Sequence, residues 1–222
     1  SFFFSDFIIN LLYGHFFKKN QCKMKKIKEI LIGTNNDGKY REMCDLLPRN
    51  IKKYSPKNFN LKTPKEDGKS FEENAMIKAL YFCKKTNMLC LADDSGLQIN
   101  LLKGSPGIHS ARWGGKENDF NYAIKKVYRE MNKVKKNWKK YNQAQFVCCL
   151  AIYTPNNKKF LSKGIICGTI SDKIKGKNGF GYDPIFIPKG HKKTFAEMEY
   201  KTKLSIDHRY KAYQKIKKLF VQ

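Results

Sequence analysis

Residues 29–40 read EILIGTNNDGKY. The first five form a short apolar run suited to a buried strand, and Thr34 to Asp37 are turn formers. From Asp37 the pattern favours a helix to about Leu47, stopped by Pro48. A strand, a glycine-bracketed turn and a helix N-terminus in succession gather backbone N–H groups where an anion can rest. Gly33, four residues, then Gly38-Lys39 match the Walker phosphate loop up to its last position. A Ser or Thr hydroxyl should hold magnesium there, but Tyr40 stands instead, its hydroxyl carried off by the ring. A metal at this loop therefore needs carboxylates from elsewhere in the chain.

Working outward, Ser70-Phe-Glu-Glu73 reads as a capping box opening a helix through roughly Lys85. Leu89–Ala92 is a buried-type strand, expected to end at Asp93-Asp94-Ser95-Gly96, with a second short strand over Leu97–Asn100. Helices are expected near Ser105–Trp113 and over about Asn118–Lys136. Gln145–Tyr153 and Lys159–Ile170 are strand-like and joined by Thr154-Pro-Asn-Asn157, a hairpin signal. GKNGFGYDPIF (176–186) is a glycine-punctuated loop entering a strand, and a helix from about Ser205 to Phe220 closes the chain. Strands and helices mix without strict alternation, which predicts an α/β protein with a mixed sheet flanked by helices. Residues 1–23 read as an extension of unknown role, interrupted by polar residues and so no spanning helix, and 24–222 as a single domain.

The chain has 222 residues and a formal charge of +26, from 45 Lys+Arg against 19 Asp+Glu. Only Arg41, Arg49, Arg112, Arg129 and Arg209 are arginines. Base-reading surfaces favour the planar fork of Arg, so this lysine excess reads as a solvated basic surface rather than a stable nucleic-acid face. Seven cysteines without a C-x-x-C pair, several within apolar runs, suit a reducing, cytoplasmic setting. Neither a zinc site nor a membrane partner is expected.

Glu66, Glu72-Glu73 and Asp93-Asp94 are candidate carboxylates elsewhere in the chain, and two adjacent acids after an apolar strand suit a hard cation. Taken alone, Asp93-Asp94 could be a turn and Glu73 a cap. Gly179-Phe-Gly-Tyr-Asp-Pro184 presents two aromatics between glycines, either a stacking platform or a structural loop.

TNNDGK (34–39), SFEENAMIKA (70–79), ADDSGL (92–97), GSPGIHSARW (104–113), GFGYDPIF (179–186), TFAEM (194–198) and KLSIDHR (203–209) occur in this order. Together they resemble the inosine triphosphate pyrophosphatase family, from about Ile27 to about Leu219. The resemblance implies a two-lobed fold around a long central mixed β-sheet, a homodimer, and Mg²⁺-dependent hydrolysis of ITP, dITP and XTP to monophosphate and pyrophosphate. It implies that Thr34, Asn35, Asn36, Asp37, Gly38, Lys39 and Lys78 hold the triphosphate. Glu66 and Asp94 would bind Mg²⁺, with Asp94 as catalytic base and Ser95 beside the substrate. Phe180, Gly181, Tyr182, Asp183, Lys203, His208 and Arg209 would form the base pocket, with Arg209 donating to the purine C6 carbonyl and N7. Two residues depart from the family pattern: Asn35 stands where Gly is usual, a mild change since Asn tolerates positive φ, and Asp207 replaces a Ser beside the base reader. The alternatives are a basic nucleic-acid-binding protein, an ATPase or kinase using the loop, and a related pyrophosphatase acting on modified pyrimidine nucleotides.

Overall fold

The computed structural model describes residues 27–115 and 119–220, so the 1–23 extension lies outside the described residues. Six strands form one sheet in the order β2-β1-β3-β4-β5-β6. They are β1 (Glu29–Ile32), β2 (Lys52–Tyr54), β3 (Cys90–Ile99), β4 (Gln143–Tyr153), β5 (Lys159–Ile170) and β6 (Phe186–Pro188). β2, β1 and β3 run parallel, and every pairing from β3 to β6 is antiparallel. The helices are α1 (Asp37–Leu46), α2 (Phe71–Thr86), α3 (Phe120–Val134), α4 (Tyr200–Ile206) and α5 (His208–Ile216). Among the described residues no helix is long and apolar enough to cross a membrane.

Strand alternation decides which helix covers which face. Leu31, Ala92, Val147 and Cys149 point to α2, where they meet Phe71, Ala75, Ala79 and Phe82. Ile30, Ile32, Leu91, Cys148 and Leu150 point the other way, to Met43 and Leu47 of the α1 region and Ala212, Tyr213 and Ile216 of α5. The far ends of β3, β4 and β5 carry a third cluster, in which Leu97, Phe146 and Ile166 pack with α3 and with Phe186 and Phe195. Three long strands thus tie two halves of the interior together.

Several expectations hold to within a residue or two. Asn36 caps α1 by accepting from the Lys39 N–H (2.9 Å), and α1 ends before Pro48. Ser70 caps α2 by accepting from the Glu73 N–H, although Glu73 reaches back to the Lys69 N–H rather than to Ser70. The β4–β5 hairpin closes with Asn157 in the left-handed region, and α3 is capped by Asp119.

Three expectations are corrected. Asp93 and Asp94 do not end a strand: β3 runs unbroken through them, opposite Leu150 and Cys149. The segment 105–113 forms two short 3₁₀ turns, Gly107–His109 and Arg112–Gly114, rather than a helix. The closing helix is broken at Asp207, whose carboxylate accepts from the Tyr210 N–H (2.7 Å) and starts α5 afresh. An Asp that can capture an N–H three residues on competes with helix continuation.

Candidate functional site

The pairing of β1 with β3 stops at Ile32 opposite Leu91. Beyond that point the chain leaves β1 as the turn 33–36, while β3 continues beside β4, so Asp93 and Asp94 lie just past the carboxyl end of the parallel pair. A crevice opens there, as in open α/β sheets generally. The cavity measures about 770 Å³, within the range of small-molecule sites. Thr34, Asn35, Asn36, Lys39, Glu66, Lys78, Asp94, Ser95, Phe180, Gly181, Tyr182, Asp183, Lys203, His208 and Arg209 all line it. Fifteen of the residues singled out by sequence therefore meet in one place.

The two adjacent acids do different jobs because β3 alternates. Asp93 faces α1 and α5, where its carboxylate receives Lys39 (3.1 Å), Arg209 (3.2 Å) and the Ser95 hydroxyl (3.1 Å). Burial pushes its pKa up, but the cations beside it outweigh that and hold it well below the usual carboxylate range. Asp94 faces α2 and the cavity. Its Oδ1 accepts from the Ser95 N–H (3.1 Å) and lies 3.6 Å from Lys78, while Oδ2 is buried with no hydrogen-bond partner. Burial raises the Asp94 pKa, partly offset by Lys78 and Lys39. Lys78 also grips Glu66 (3.0 Å), so this one ammonium stands between the two carboxylates. Burial alone would depress its pKa, yet Asp94 and Glu66 keep it raised and the lysine charged.

At the other end Lys203 donates to Glu42 (2.8 Å) and Asp183 (2.6 Å), all three buried. Arg209, 1% exposed, donates through Nη1 to Glu42 and through Nη2 to Asp93 and to the Ser95 hydroxyl (3.1 Å), leaving Nε without an acceptor. The expected free fork is thus already engaged. Asp183 also accepts from the Phe180 N–H (2.9 Å), which fixes the loop between Gly179 and Gly181, both at positive φ. That loop sets the Phe180 ring over the Lys203 ammonium, 4.6 Å from centroid to Nζ. Tyr182 is buried, its hydroxyl donating to the Ser110 carbonyl (2.8 Å), so its role is to anchor the loop. His208 stacks on Phe146 (4.8 Å), and burial followed by the nearby Arg209 holds it well below the usual His pKa, hence neutral.

Two expected triphosphate residues lie outside the cavity lining. Asp37 is exposed and paired with Lys57 (2.5 Å) on the surface. Gly38 serves Phe180 instead: a Cβ there would come within 2.5 Å of the ring. Asn35 has no positive φ, so conformational tolerance is not its role; its Nδ2 donates to Leu61 O (3.3 Å) and Thr63 Oγ1 (3.0 Å). Asp207 does not pair with Arg209, as its Oδ1 is spent on the cap and its Oδ2 has no partner.

The residue missed by sequence reading is Glu42, which holds both Lys203 and Arg209. Its one signal was an acid beside Met43 on the buried stripe of α1. Arg112 and Phe120 also line the cavity without having been singled out. Among the described residues no three His, Cys, Asp or Glu side chains gather as a metal cluster. The donor set that remains, Asp94 with its bare oxygen and Glu66, fits a hard cation that takes its other ligands from phosphate and water.

A model of the Ham1 family matches residues 30–219. The dITP/XTP pyrophosphatase of Zymomonas mobilis is 38% identical over 188 residues, covering 84% of this chain and 89% of that protein. That of Bacillus subtilis is 39% identical over 196 residues, covering 87% and 97%. The solved structure of a HAM1 protein from Coxiella burnetii superposes with a TM-score of 0.77 at 35% identity, over 87% of this chain and 98% of that one. With the fold, the motifs and the matched length in agreement, the chain belongs to the Ham1 family.

Proposed function

We propose that this protein hydrolyses non-standard purine nucleoside triphosphates (ITP, dITP and XTP) to the monophosphate and pyrophosphate, and so cleanses the nucleotide pool. The observation that carries the reading is the pairing, in one cavity, of a cation-rich end bearing the bare Asp94 oxygen with an aromatic end at Phe180. The dITP/XTP pyrophosphatase relatives support the substrate class. Mg²⁺ would be held by Asp94 and Glu66, and when bound it supplies charge neutralisation and a more acidic water.

The chain's own residues account for the rest. Asp94 is buried at the cavity and has two carboxylate oxygens, so in this reading one holds the cation while the other accepts the proton of an attacking water as it adds to the α-phosphorus. Lys39 and Lys78, with the turn 34–36 and the α1 N-terminus, offset the charge that builds on the departing pyrophosphate. Phe180 stacks on the purine, with its other face on Lys203. Lys203 and Arg209 are pure donors, so a C6 carbonyl suits them and the amino group of adenine does not. The working form is proposed to be a cytoplasmic homodimer, as the family resemblance implies.

A panel of ITP, XTP, GTP, ATP and modified pyrimidine triphosphates with Mg²⁺ tests this. Pyrophosphate released fastest from ITP and XTP supports the reading. Orthophosphate would indicate an ATPase, preference for a pyrimidine would indicate the related pyrophosphatase, and no turnover would favour a binding protein.

A further inference from the structure

Residues 61–67 have no regular secondary structure, yet they carry Glu66 to the cavity. Fixing such a backbone costs conformational entropy, so an untethered loop presents its carboxylate poorly. Two side chains from separate parts of the fold hold this backbone. From the turn after β1, Asn35 Nδ2 donates to Leu61 O (3.3 Å) and Thr63 Oγ1 (3.0 Å). From the 3₁₀ turn Arg112–Gly114, Arg112 Nη2 donates to the Glu66 carbonyl, while Nη1 lies 3.2 Å from His109 Nδ1. One tether grips the start of the segment and the other grips the ligand-bearing residue itself. Both line the same cavity, and neither touches the Glu66 carboxylate, which is left to Lys78.

We propose that Asn35 and Arg112 are positioning residues that clamp segment 61–67 from its two ends and thereby place the Glu66 carboxylate against Asp94. The proposal rests on reading Glu66 and Asp94 as the metal-holding pair. It predicts that the Asn35 side chain and the Arg112 loop set the metal requirement of the site without ligating the metal.

The test is amide hydrogen exchange on the metal-free full chain for Asn35→Ala, Arg112→Ala and Thr63→Val, alongside the Mg²⁺ dependence of pyrophosphate release from ITP. Exchange within 61–67 should speed up roughly ten-fold in Asn35→Ala and Arg112→Ala, with the strands unchanged. The half-saturating Mg²⁺ concentration should rise about three-fold or more, and the loss of turnover should narrow as Mg²⁺ is raised. Asn35→Ala combined with Thr63→Val should be no worse than Asn35→Ala alone, because Asn35→Ala already removes the one contact that Thr63→Val breaks. Unchanged exchange at 61–67 overturns the clamp, as does acceleration spread through the whole molecule, or a faster loop with an unaltered Mg²⁺ requirement. If the wild type releases no pyrophosphate, the proposed function fails on its own account, and exchange at 61–67 still decides whether the clamp exists.

Discussion

At the end of the cavity proposed to hold the base, Lys203 and Arg209 are locked to Glu42, Asp93 and Asp183 before any ligand arrives. At the end proposed to hold the phosphates, Asp94 keeps one oxygen bare and a single lysine bridges it to Glu66. Buried ion pairs of the first kind contribute little net stability, but they hold donors in fixed places, which suits recognition of a flat, rigid group. The second arrangement is under-compensated and suits a site completed by an incoming cation and a polyanion. The contrast predicts that damage at the phosphate end shows in turnover, and damage at the base end shows in stability and KM.

The largest effect is expected from Asp94→Asn, which is nearly isosteric but has no basic oxygen. Turnover should fall on the order of 10²–10⁴-fold, the scale of a lost general base, with melting temperature unlowered. Near-wild-type kcat at saturating Mg²⁺ would remove Asp94 from the chemistry. Next comes Glu42→Gln. It strands one contact each on Lys203 and Arg209, and should cost about 3 kcal/mol in denaturant unfolding. If the loss were below about 1 kcal/mol, the base end would not be the rigid template described. Phe180→Ala should raise KM about ten-fold, in line with about 1–3 kcal/mol per stacked base, and leave the melting temperature near wild type. A large drop in melting temperature with KM unchanged would make the ring a packing element.

A fourth, smaller effect depends on pH. Burial, then the nearby Glu42, pushes the Asp207 carboxyl up to about 7, against about 3.9 for an unfolded Asp. The folded state therefore binds the proton more tightly than the unfolded chain. That stabilisation is fully present below about pH 4 and is lost as pH rises through about 7. Asn caps a helix as well as Asp does, so Asp207→Asn should keep α5. It should also raise the melting temperature at pH 8 by at least roughly 2–4 °C, with the gain shrinking toward pH 4. A gain equal at both pH values would show that the carboxyl does not titrate in this window. The smallest effect belongs to Asp37→Asn, outside the cavity, where stability should stay within about 0.5 kcal/mol and KM should not move.

These contrasts also explain what was legible in the sequence. The turn after β1, the α2 cap and the β4–β5 hairpin follow from local signals, namely a cap, a proline, or a Pro-Asn-Asn turn, and they stand where the sequence put them. The unbroken β3 was not legible, because two acids in mid-strand look like a turn. The strand survives because Lys39 and Arg209 neutralise Asp93 on one face while Lys78 meets Asp94 on the other. Glu42 escaped for the same reason: its partners lie more than 160 residues away, and nothing within α1 marks them. Arg209 was identified as part of the site, but its ties to Glu42 and Asp93 come from the tertiary fold alone. Replacing it with Met would therefore strand two carboxylates as well as remove the proposed base reader.

The proposed chemistry is attack at the α-phosphorus by a water whose proton passes to Asp94. A single turnover of ITP with Mg²⁺ in ¹⁸O-enriched water, followed by mass spectrometry of the products, tests this most directly. The label should appear in inosine monophosphate, with the released pyrophosphate unlabelled. Label in pyrophosphate, or the appearance of labelled orthophosphate with inosine diphosphate, would contradict it.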